Sequence, residues 1–288
     1  MRRSGHRSEE NNDDHASSSH PTYHPTPRTP GLAIATVVFA GIATSMLLGP
    51  LLDGWRGAWR ASAVLVLVAA VALFFTTPAD TPTPRVPGQS VGTALRAVVA
   101  SRATTLLALC FAAYNVQFFS VMTFLPVFLM QRLGVALSTA GVIGAAIVAA
   151  NAIGNLAAGA LLARGMRAGP LLATAAIAMG CTGAGLFHPA PPAPLAVALG
   201  FLFSAFAGML PATVLASAPS TAPTPSLAPL CIGWVMQGNY LGQVIGPLLI
   251  GAIVGGAGGA GAMGLLLVAA AIGAAFGLAL PQPRVVAA

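Results

Sequence analysis

Apolar residues run through this chain in eight blocks, separated by short polar or proline-bearing breaks. A helix rising about 1.5 Å per residue needs about 20 apolar residues to cross the hydrocarbon layer of a bilayer. The blocks run from Gly31 to Leu52, Trp59 to Thr77, Thr104 to Met130, Val135 to Ala163, Gly169 to Phe187, Ala193 to Ser217, Leu227 to Val254 and Gly259 to Leu280. The pattern predicts an all-α membrane protein of about eight transmembrane helices. The first block is longer than the roughly 7 to 15 apolar residues of a cleaved signal peptide and reads as a span. Residues 1–30, rich in Ser, His, Asn and Pro, predict a disordered tail. Residues 78–102 form the longest internal polar stretch, where Pro82, Pro84 and Pro87 break any early helix. This stretch divides two spans from six.

Composition sharpens the class. Hydrophobic residues make up 56% of the chain and charged ones only 7%, with a mean hydropathy of +0.83. All thirteen cations are Arg, and the six acids are Glu9, Glu10, Asp13, Asp14, Asp53 and Asp80, so no carboxylate side chain follows residue 80. The net charge of +7 comes from arginines scattered between apolar blocks, not from a basic face suited to nucleic acid. If the chain starts in the cytoplasm, Arg2, Arg3, Arg7, Arg28, Arg85, Arg96, Arg102, Arg164, Arg167 and Arg284 lie inside, and only Arg56, Arg60 and Arg132 outside. That asymmetry is what the positive-inside rule expects, and it predicts a multi-pass protein of the plasma (inner) membrane with both termini cytoplasmic. Cys110, Cys181 and Cys231 sit far apart in separate blocks, without metal or redox spacing. The tail histidines are irregularly spaced, so neither a metal site nor a cofactor is expected.

An internal echo carries the next step. Gly49, Pro50, Leu51, Leu52, Asp53 and Gly54, near the end of the first block, recur as Gly246, Pro247, Leu248, Leu249, Ile250 and Gly251 in the seventh, with five of six letters shared. A parallel repeat of six helices is the arrangement of the two halves of major facilitator transporters. The chain resembles that superfamily from its fifth helix to its twelfth. Gly41, Gly49, Pro50 and Gly54 resemble the fifth-helix antiporter motif, with Ser45 and Asp53 where glycines are expected; Trp55 and Arg56 resemble the turn opening the sixth helix. Gly159, Leu161, Leu162, Arg164, Gly165 and Arg167 resemble the loop signature between the eighth and ninth helices, with Ala163 in place of its usual acid.

The resemblance implies a cytoplasmic tail over 1–30, the last two helices of an N-terminal half over 31–77, a central cytoplasmic loop over 78–102, a six-helix C-terminal half over 103–281 and a cytoplasmic tail over 282–288. No equivalent of the family's first four helices is found. The implied transporter is therefore incomplete as encoded, or draws those helices from a second chain.

Polar side chains inside spans must face neighbours, a wet cavity or substrate. Tyr114 and Gln117 in the third block, Asn151 and Asn155 in the fourth, and Gln237 and Tyr240 in the seventh are the candidate substrate contacts. Tyr114 and Gln117 gain support from the resemblance, since family substrate sites draw on the seventh and eleventh helices. Gly49, Pro50, Gly246 and Pro247, with Arg164 and Arg167, are candidates for gating or packing. Hydrogen bonding between helices is the other reading of Asn151 and Asn155, and the one that apolar spans favour. The expected function is secondary transport of a small organic solute across the plasma membrane by alternating access, as permease or exporter, with the bilayer and the solute as partners. A non-transporting remnant, or a subunit needing a partner chain, is the alternative. A membrane enzyme is disfavoured, because no Gly-x-Ser-x-Gly, no acid after residue 80 and only His188 after residue 24 are available as catalytic groups.

Overall fold

The computed structural model describes residues 55–76 and 90–281. The predicted first span, with Gly49, Pro50 and Leu51, and both predicted tails lie outside them. Among the described residues every regular element is helical: α1 (Trp55–Thr76), α2 (Val91–Ala100), α3 (Arg102–Leu133), α4 (Leu137–Ala149), α5 (Asn151–Ala163), α6 (Ala168–Phe187), α7 (Ala193–Ser217) and α8 (Ala228–Leu278). Two 3₁₀ turns, Ala218–Thr221 and Pro225–Leu227, join α7 to α8.

Six stretches are long and apolar enough to cross a membrane: Arg102–Leu133, Leu137–Ala163, Ala168–Phe187, Ala193–Thr221, Pro225–Gly256 and Gly258–Leu278. They correspond to the last six blocks of the sequence. The second stretch comprises α4 and α5, which meet at the buried Ala150. The fifth and sixth are the two limbs of α8, divided by Gly258, whose φ of 58° and ψ of −147° reverse the chain. That backbone conformation is open essentially to glycine alone.

One stretch differs from the sequence expectation. Residues 78–102 read as a loop, yet α2 forms within them, starting where Ser90 accepts a hydrogen bond from the Thr93 amide at 3.2 Å. The prolines end at residue 87, which leaves Ala94, Leu95, Val98 and Val99 free to set up a helical apolar face. Ser101 then closes α2 and caps α3, so a single extended residue separates the two helices.

Helix α3 packs along α8, α5 along α7, and α6 against both α7 and α8. Leu107, Phe111, Val121 and Leu129 of α3 share one core with Met179 of α6, Phe203 and Leu210 of α7 and Leu266 of α8. In hydrocarbon, burying apolar surface gives helices little reason to associate, so close backbone approach at small residues carries the packing. Gly154 on α5 and Gly208 on α7 face each other so tightly that a Cβ on either would collide with the opposing backbone, at Ala205 and Asn151 respectively. Gly238 and Gly242 press in the same way on the Ala108 and Ala112 carbonyls of α3. Pro126, Pro211 and Pro247 sit inside helices α3, α7 and α8.

Candidate functional site

Polar side chains collect at the two glycine crossings. Where α5 meets α7, Asn151 is buried and donates to the Ser204 carbonyl at 3.4 Å. Its side-chain oxygen accepts from Asn155 Nδ2 at 2.8 Å, and its amide group meets the hydroxyl of Tyr114 arriving from α3. The Tyr114 ring stacks between Phe111 and Phe118, each with centroids 5.7 Å away, and Phe118 lies parallel to Phe203 of α7 at 6.3 Å. An aromatic column thus holds the Tyr114 ring with its hydroxyl beside Asn151. Three of the six candidate substrate contacts, Tyr114, Asn151 and Asn155, share this cluster.

At the second crossing Asn115 of α3 donates to Asn239 of α8 at 2.9 Å and to the Phe111 carbonyl at 2.9 Å. One turn and a half further along, Ser120 donates to the Gly246 carbonyl at 3.0 Å. Pro247 lacks an amide hydrogen, so the Gln243 carbonyl one turn earlier has no helical donor, and the α8 ladder is weakest there.

The crossings repeat one another. Asn151, Gly154 and Asn155 on α5 match Asn239, Gly242 and Gln243 on α8, each pair separated by 88 positions (239 − 151, 242 − 154, 243 − 155). In both, the glycine seats a neighbouring helix and the first asparagine bonds across to it. Asn115, Asn239 and Ser204 belong to this framework although none stands among the candidate contacts read from sequence. The 88-residue recurrence of Asn-x-x-Gly-Asn/Gln is the signal that marks Asn239, whereas Asn115 and Ser204 lie outside it and are placed by the bonds they make.

The other three candidates lie elsewhere. Gln117 is fully buried and turns to α6 and the second limb of α8: a Cβ on Gly180 would stand 3.3 Å from its Oε1 and collide with Ala270. Neither amide atom of Gln117 has a hydrogen-bond partner. Gln237 and Tyr240 lie on an exposed face of α8 with Leu241, Val244 and Leu248, and Tyr240 keeps 53% of its surface. The Gln237 amide reaches only its own helix, at the Gly233 carbonyl, 3.5 Å away.

The α5–α6 turn holds Arg164 and Arg167. Gly165 takes a φ of 84°, and the Met166 and Gly165 amides bond back to Leu161 and Leu162 at 3.1 and 3.0 Å. This double closure is a Schellman motif, and it requires a residue that tolerates the left-handed region. Arg164 stands at the carboxyl end of α5, where a cation complements the helix dipole. Arg167, Ser217, Ser220 and Thr221 line a cavity of about 430 Å³ at this end of the bundle. Among the described residues no group of three or more His, Cys, Asp or Glu side chains could hold a metal.

Such a site offers neutral donors and acceptors at membrane depth. Its asparagines are paired with one another and with an α7 carbonyl, and no carboxylate stands among them. No curated protein matches the chain. Residues 27–228, which is 202 of 288 positions (228 − 27 + 1), match the family model of the Major Facilitator Superfamily. With its six apolar spans, the chain is a multi-pass membrane protein and belongs to the Major Facilitator Superfamily of transporters.

Proposed function

We propose that the chain carries a small organic solute across the plasma membrane by alternating access, with both termini in the cytoplasm and the six described spans forming one half of the path. The observation that carries this reading is the Tyr114, Asn151 and Asn155 cluster: neutral hydrogen-bonding groups drawn from α3 and α5, beside an α7 carbonyl, at the depth where a solute must pass. Such groups suit a hydroxyl, amide or ether better than a bare ion, whose desolvation they could not offset.

The exposed Gln237 and Tyr240 support a complementary half. A primary amide facing hydrocarbon is costly. The α8 face that bears them therefore belongs against other helices or a water-filled cleft, supplied by the chain's own earlier spans or by a second chain. Gly246 and Pro247, beside the weakened α8 ladder, give that helix a place to bend as the halves rock. Coupling to a proton through a carboxylate would have to come from outside residues 90–281, which contain no Asp or Glu.

The test is purified protein in vesicles, assayed for uptake of a panel of small neutral and amphipathic solutes, fluorescent dyes included. Saturable uptake that falls in Asn151→Ala supports the reading. Uptake indistinguishable from empty vesicles for every solute favours instead a subunit that needs a partner chain.

A further inference from the structure

We infer that α2 is a membrane-surface helix that seats the start of α3 in an anionic lipid leaflet. Its ten residues divide into three arcs. Val98 is fully buried with Leu227 and Cys231 of the α8 base, and Ala94 and Ala97 pack beside it. Val91, Leu95 and Val99, at spacings of four, form an adjoining apolar stripe that is exposed, with Val91 keeping 81% of its surface. Gly92, Thr93 and Arg96 occupy the remaining side and are also exposed.

A helix in water has no use for a second apolar stripe beside the one it packs with. A helix lying in the headgroup layer does, because that stripe sinks into the acyl boundary while the cation stays among the phosphates.

Position supports the assignment. Only Ser101 separates α2 from the 32-residue span α3, and its extended backbone (φ −67°, ψ 110°) turns α2 aside at the mouth of that span. Thr104 ties the same end to the turn after α7, donating to the Thr221 carbonyl at 3.1 Å. The helix is thus held at the level where α3 enters the bilayer. The charge is complementary to an anionic surface: Arg96, Arg102 and Arg164 sit at this end of the bundle, and no Asp or Glu occurs in residues 90–281 to neutralise them. Each cation near such a surface contributes attraction that acidic lipid strengthens and salt screens.

The test places a spin label, one position at a time, at Val91→Cys, Thr93→Cys, Leu95→Cys, Arg96→Cys and Val99→Cys in the full chain. The background is Cys181→Ala, which leaves the buried Cys110 and Cys231 unlabelled. The protein is reconstituted in phosphatidylcholine with or without phosphatidylglycerol, and collision with oxygen, which concentrates in lipid, is compared with a water-soluble nickel chelate. The oxygen-to-nickel ratio is expected to be several-fold higher at positions 91, 95 and 99 than at 93 and 96, and to rise at those three when phosphatidylglycerol is present. Arg96→Gln together with Arg102→Gln should abolish that rise.

Nickel reaching position 95 as readily as position 93 would overturn the assignment in favour of a solvated helix. Exclusion of both reagents from 91, 95 and 99 would overturn it in favour of a protein-covered one. Absence of any lipid dependence would remove the anionic surface as the partner. The three labelled stripe positions are independent, so failure of one variant leaves the pattern readable. None of these readings depends on whether the protein transports a solute.

Discussion

Asn115 and Asn239 meet amide to amide across 2.9 Å, between two helices that no charged pair holds together. The bond lies beside the glycines that bring α3 and α8 into contact, so it sets their register as well as adding to their attraction. Replacing either asparagine with Leu is expected to cost about 1–3 kcal/mol, since it leaves a buried amide unpaired. The double variant should recover part of that loss, with a coupling of about 0.6–1.7 kcal/mol. A double-mutant cycle on unfolding in mild detergent checks both figures.

Glycine positions should divide sharply. Gly154→Val and Gly242→Val would push side chains into facing backbone and are expected to destabilise by about 3 kcal/mol or more, beyond ordinary overpacking. Gly159→Ala, with open space around its Cβ, should raise stability by about 0.5–1 kcal/mol, through helix propensity. Melting temperatures of the three variants, measured side by side, decide it.

Gln117 buries two unpaired amide atoms between α3, α6 and α8. Gln117→Leu, similar in volume, should stabilise the described conformation by about 1–3 kcal/mol, because the cost of the orphaned groups disappears. If another state of the transport cycle satisfies that amide, the same change should slow transport. A higher melting temperature together with a reduced rate is the expected pair of readings.

Tyr240 and Tyr114 should respond differently. Tyr114→Phe removes the hydroxyl that meets Asn151 and should lower stability by about 1 kcal/mol while reducing solute affinity. Tyr240→Phe, on an exposed face, should leave the stability of the six-span unit within about 0.5 kcal/mol. Detergent melting curves and solute concentration dependence separate the two.

Much of this architecture was legible in the chain because a span announces itself by sheer apolar length. The six blocks from Thr104 onward coincide with the six spans, and the reversal near Gly258 falls between the two predicted last spans. Helix α2 is not legible in the same way: its ten residues are too few for a span and sit behind three prolines, and what shapes them is the seat of Val98 on Leu227 and Cys231, 129 and 133 positions further along the chain (227 − 98, 231 − 98).

The site divided for a related reason. Tyr114 and Gln117 are three apart and share a helix flank by spacing, yet at a crowded crossing the ring follows its aromatic column while the amide turns to Gly180. Neighbouring positions on one helix can serve different partners. Polarity alone does not separate Asn115 and Asn239 from Gln237 and Tyr240, because it does not say which face is covered. The recurrence at 88 positions marks Asn239, and the packing of α3 on α8 marks Asn115.

The central proposition is that a solute exchanges places at the Asn151 cluster as the protein alternates between two openings. Counterflow in reconstituted vesicles addresses it: vesicles preloaded with unlabelled solute are diluted into a trace of the labelled form. Alternating access gives a transient accumulation of label above the outside concentration, reduced by Asn151→Ala and unchanged by Gly159→Ala. Label that never exceeds simple equilibration in the unmodified protein would mean that this chain does not carry the solute by itself.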